Sequence, residues 1–104
     1  MAPRLLESKS QFLDRLRAHA KSLGTQPMGF GGHHFSHAVV QEEGVFRVRQ
    51  LVLPRDKYEA WVKEHRSFMP EHAEMLSEPV GAIVLEAPTL DGLISQLEAG
   101  RWPY

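Results

Sequence analysis

Apolar residues return at helical spacing near the start of the chain: Phe12, Leu13, Leu16, Ala20 and Leu23 share one face, while Lys9, Arg15, Arg17 and Lys21 fall largely elsewhere. The spacing predicts a first helix over residues 8–23, opened by a capping box between Ser8 and Gln11 and ended by Gly24 in the left-handed conformation. Residues 24–34, GTQPMGFGGHH, interrupt the period with glycines and a proline and read as a loop.

The period then changes to two. VFRVRQLVL (45–53) alternates and is rich in β-branched residues, which predicts a strand, and FSHAVVQ (35–41) is its hairpin partner. A three-residue EEG turn with Gly44 left-handed sets Gln41 opposite Val45, Val40 opposite Phe46, Ala38 opposite Val48 and His37 opposite Arg49. In that register Ala38, Val40, Phe46, Val48 and Val52 form an apolar face. The other face is mixed: Phe35, His37, Val39, Val45, Arg47, Arg49, Leu51 and Leu53. A slip of one residue exchanges the sides of one strand relative to the other.

After Pro54, Tyr58, Trp61, Val62 and His65 mark one face of a second helix, with Glu59 and Lys63 spaced as an i,i+4 pair. Pro70 starts a short third helix through EHAEMLSE. VGAIVLEA (80–87) is an unbroken apolar run, expected to be a strand buried on both faces. Thr89 caps a last helix carrying Leu90, Leu93, Ile94 and Leu97, which Gly100 stops. The expected fold is therefore α+β, one domain over residues 1–104 in the order α-β-β-α-α-β-α. It has a three-stranded mixed or antiparallel sheet packed with about four helices.

Composition narrows the function. Twelve basic and thirteen acidic residues nearly cancel, so no bulk attraction to nucleic acid or an anionic membrane is expected. The absence of cysteine excludes disulfides, thiolate metal sites and a thiol nucleophile. The amino-terminal residues are charged throughout, unlike a signal peptide, and no stretch approaches the ~20 apolar residues needed to span a bilayer. A soluble, cytoplasmic protein with no membrane partner is the expectation.

The histidines of GFGGHHFSH, His33, His34 and His37, are candidate metal ligands, because neutral imidazole binds zinc and similar ions. In an extended strand His33 and His37 stand about 13 Å apart, and the third ligand, from His65, His72 or a carboxylate, is not specified by any motif. GFGG fits neither a P-loop nor a dinucleotide fingerprint. Ser36 and His37 point to opposite sides if both lie in a strand, and so do not meet; Glu42 and Glu43 are assigned to a solvated turn. No catalytic constellation and no cofactor follow.

Arg47 and Arg49, on the mixed face with His37, Phe35 and Leu51, form the candidate binding surface, since planar guanidiniums suit a carboxylate, a phosphate or a partner protein. Trp102 and Tyr104 in the tail are the second candidate, as an aromatic anchor on a neighbour or on the same domain. The leading expectation is a small non-enzymatic binding or regulatory module, acting through protein contacts and self-associating as a homodimer through the mixed face or the tail. The alternatives are an anionic small-molecule site, with or without catalysis, built on His37, Arg47 and Arg49, and nucleic-acid binding through Arg47, Arg49, Arg55 and Lys57.

Overall fold

The computed structural model of the chain describes residues 8–31 and 35–103. Helix α1, Lys9–Ala18, opens as its sequence predicts: Gln11 N–H donates to Ser8 Oγ and Ser8 N–H to Gln11 Oε1. It ends earlier than its apolar spacing suggests, passing into a 3₁₀ turn at Ala20–Ser22. There the Ser22 hydroxyl donates to His19 O and the Thr25 hydroxyl to Ser22 O, local bonds that compete with helix propagation. Leu23 still reaches the core, and among the described residues the left-handed glycines are Gly31, Gly44 and Gly100 rather than Gly24.

The sheet has four antiparallel strands, not three: β1 Met28–Phe30, β2 His37–Glu42, β3 Val45–Gln50 and β4 Ile83–Ala87, neighbours in that order. β1 lies inside the segment expected to be loop. Three residues between a proline and a glycine are too few to display a period, and pairing with β2 is what makes them a strand.

The hairpin register differs by one residue from the sequence expectation. Glu43 (φ 53°) and Gly44 (φ 80°) both adopt positive φ, the signature of a two-residue type I′ turn, and Glu42 pairs with Val45. That turn matches the natural twist of a strand pair, and it sets Val39 opposite Val48, Val40 opposite Arg47 and Ala38 opposite Arg49. Glu42 therefore belongs to β2, and the face assignment of β2 inverts relative to β3. Met28, Phe30, His37, Val39, Phe46, Val48, Leu85 and Ala87 share the inner face, on which Phe12, Leu13 and Leu16 of α1 and Leu93, Ile94 and Leu97 of α4 complete the core.

α4, Leu90–Glu98, is capped by the Thr89 hydroxyl, which accepts from Gly92 N–H. The chain then turns at Gly100 (φ 91°), and Trp102 comes back edge-on to Phe12 and Phe30 at 6.1 and 6.0 Å. Trp102 is thus docked on its own domain, whereas Tyr104 lies outside the described residues.

Helices α2, Arg55–His65, and α3, Pro70–Leu76, form an arm that contributes no buried residue. They pack on each other through Tyr58 against Phe68 (4.8 Å between rings) and Trp61 against His72 (4.6 Å). Arg55 with Glu59, rather than Glu59 with Lys63, makes the i,i+4 ion pair (2.9 Å). An isolated bridge between Val52 and Glu78 and the Lys57–Glu78 ion pair (2.8 Å) tie the arm to the end of the sheet. β4 is an edge strand with Ile83 and Val84 exposed, not a strand buried on both faces. Its apolar run invites the buried assignment, but among the described residues sheet order leaves one side of it without a neighbour.

Candidate functional site

The register correction separates the residues that the sequence groups together. His37 points to the inner face beside Phe30, with ring centroids 6.0 Å apart, and is buried. Arg47 and Arg49 lie on the outer face. Phe35 stays on that outer side, its ring lying against Gly29, where a Cβ would stand only 2.4 Å from it. Leu51 follows β3, and its N–H donates to Ser36 O (2.9 Å). The residues proposed as one anionic-ligand site thus straddle the sheet.

The two arginines are already engaged. Arg47 Nε donates to Glu86 Oε2 (2.7 Å) and its Nη1 to Glu42 Oε1 (3.2 Å); Arg49 Nε donates to the same Glu42 oxygen (2.8 Å) and its Nη1 to Gly81 O (2.8 Å). Cross-strand position explains the first pair, because Glu86 of β4 sits directly opposite Arg47. Arg49 begins four residues along β2 from Glu42, opposite Ala38, so its side chain must run along the sheet to reach that carboxylate. Ala38 and Val40 are buried on this face between the arginines on β3 and, at Ala38, the Phe35-covered Gly29 of β1. What resembles an anion-binding pair in sequence is a lattice of arginines and glutamates laid over small apolar residues.

Charge regulation agrees with that geometry. The hydrogen bond from Arg49, reinforced by the one from Arg47, holds the Glu42 carboxyl below its ordinary range, and Glu86 followed by Glu42 raises Arg47. Arg55 and Lys57 are likewise paired with Glu59 and Glu78, so the basic stretch expected to face nucleic acid is matched by carboxylates along its length. Two surface concavities, one lined by Lys9, Arg17, Leu97, Glu98 and Trp102 and one around Arg17–Thr25, include neither His37 nor Arg47 nor Arg49.

Ser36 and His37 do meet: Ser36 Oγ lies 2.7 Å from His37 Nδ1. Alternation does not separate them because Ser36 precedes β2, which begins at His37. Burial pushes the His37 imidazole below its ordinary value of 6.5. Of the other metal candidates, His33 and His34 lie outside the described residues. Among the described residues no three metal-binding side chains are gathered, and His65 and His72 instead both pack on the Trp61 ring, at 3.9 and 4.6 Å between rings.

A histidine with a lowered folded-state pKa binds its proton more weakly folded than unfolded, so stability rises with pH through that interval and is complete above the unfolded value. The urea midpoint is expected to fall between about pH 7.5 and about pH 5.5 by more in the wild type than in His37→Gln. Equal falls would remove His37 from the account. Glu42, whose pKa is lowered from 4.5, adds its own loss only in more acidic solution.

Sequence reasoning missed the exposed β4 edge beside the arm. Val52 and Val80 are exposed where the arm joins the sheet, Ile83 and Val84 at the start of β4, and among them Val80 is 62% accessible. No protein-family model matches the chain, and no curated protein or solved structure shows significant similarity to it.

Proposed function

We propose that this chain is a protein-contact module that self-associates as a homodimer through the edge of β4. The observation that carries this reading is an open edge strand bordered by exposed aliphatic side chains, Val52, Val80, Ile83 and Val84.

A second copy is the occupant favoured by the edge itself. The two-residue turn makes Glu42 and Val45 a hydrogen-bonded pair, so ladder parity directs Phe46 and Val48 of β3 towards Ala87 and Leu85 of β4. The backbone of Glu86 then points outward, and Val84 lies where the register slips, so that Ile83 rather than Val84 stands opposite Arg49 and Val84 has no Cα partner on β3. Gln96 Nε2 donates to Glu86 O (3.0 Å), which covers the far half of the edge and leaves Val84 open. An antiparallel pairing centred on Val84 exchanges its N–H and C=O with those of the copy and faces Ile83 against Leu85. It also sets Glu86 across from Ala82, so no like charges oppose each other. The open half of the edge and the aliphatic patch coincide. Trp102, taken up by its own core, and the arginine face, closed by Glu42 and Glu86, are the less suitable surfaces.

Light scattering or sedimentation equilibrium at micromolar concentration tests the reading. The expected mass is twice the 11.8 kDa of one chain. Val84→Lys, a charge of the kind that protects natural edges, is expected to give a monomer with unchanged circular dichroism. A monomeric wild type overturns the proposal, and a dimer indifferent to Val84→Lys overturns the assignment to β4.

A further inference from the structure

We propose that Ser36 is an acyl-acceptor site, a serine made nucleophilic by the adjacent His37. Ser36 is exposed while its neighbour His37 is buried, so the serine stands at the surface with the imidazole behind it. The 2.7 Å separation of Oγ from Nδ1 is within the reach that general-base assistance needs.

The pair is held by backbone on every side. Ser36 N–H donates to Phe30 O (3.0 Å) and Ser36 O accepts from Leu51 N–H (2.9 Å), so β1 and the end of β3 fix the serine. His37 is the first residue of β2, paired with Phe30 and Gln50, two uncharged neighbours. Gly31, at φ 125°, lies against the hydroxyl: a Cβ there would stand 2.4 Å from Ser36 Oγ and 3.1 Å from its nitrogen. The GFGG segment thereby gains a physical reason for glycine at one of its positions, which is close approach to Ser36 in a backbone conformation that L side chains rarely adopt. Burial favours the neutral imidazole, and in the tautomer protonated at Nε2 its Nδ1 accepts from the Ser36 hydroxyl.

The ligand class is an activated acyl ester. Ser36 Oγ attacks the carbonyl carbon, forming the new C–O bond, and the bond to the leaving aryl oxide breaks with its electron pair. The hydroxyl proton passes to His37 Nδ1 and from there to the departing oxide. The product is an O-acyl serine and a phenol, with no redox partner required.

The test is incubation of the full chain with p-nitrophenyl acetate, followed by peptide mapping by mass spectrometry and by the rate of nitrophenol release. Acetylation at Ser36 is expected to run about 100-fold or more faster than at the exposed Ser8, Ser67 and Ser95, in line with the usual gain from a positioned base. Ser36→Ala removes that label. His37→Gln, checked for folding by circular dichroism, is expected to slow labelling at Ser36 to the rate of the other serines. Should that variant fail to fold, the wild-type profile decides: assisted acylation at Ser36 reaches a plateau above the pKa of His37, whereas unassisted reaction keeps rising with hydroxide. Labelling confined to amines and imidazoles, or Ser36 reacting no faster than the other serines, overturns the proposal.

Discussion

Val39→Asp is expected to abolish cooperative folding. Val39 has no accessible surface, with Met28 on one flanking strand and Val48 on the other, and the core of α1 and α4 covers the face they share. A carboxylate placed there is either ionised without a partner or protonated without a hydrogen bond, at a cost of about 4 kcal/mol or more. That is comparable with the lower end of the stability of a small domain, about 5–15 kcal/mol in total. The prediction discriminates between registers. With Gln41 opposite Val45, position 39 falls on the outer face among the arginines and an acidic residue there is tolerated. Val39→Asp should show no sigmoidal urea transition, whereas Val45→Asp, beside the turn, should lie within about 1 kcal/mol of wild type. A stable Val39→Asp protein would refute the type I′ register.

Phe12→Ala is the second large effect, expected to cost about 3–5 kcal/mol. Phe12 is buried where three elements meet: its ring stacks on Phe30 of β1 at 4.5 Å, and Trp102 of the tail lies edge-on to both rings. Truncation leaves a cavity that these rings fill only by giving up their mutual geometry, so the loss exceeds the transfer free energy of the side chain alone. The substitution should also release the tail. In a Trp61→Phe background, which isolates the signal of Trp102, emission is expected to shift to the red before the main unfolding transition. Wild-type stability and unshifted emission would mean that α1 and the tail do not share this core.

Helices and their caps were legible because they rest on local rules. Ser8 with Gln11, Thr89, Pro70 and Gly100 all act where their spacing puts them. The candidate site was legible in its residues but not in its arrangement. Arg47 and Arg49 share a face by simple alternation along one strand, which sequence does report. Which face His37 shares depends on pairing between strands, and that turned on whether Glu42 belonged to the turn or to β2. The Ser36–His37 contact was hidden by the same rule applied one residue too far, since alternation holds only inside a strand.

The sequence alone therefore determined the class of fold, the existence of four helices and the hairpin, and the absence of thiol chemistry, because periodicity, caps and composition are properties of neighbouring residues. Only the tertiary structure decided that β1 is a strand, that β4 is an edge, that the arginines are matched by Glu42 and Glu86, and that GFGGHHFSH brings a serine against a buried imidazole. Each of these depends on which backbone lies beside which, and that is a property of pairing across the chain rather than along it.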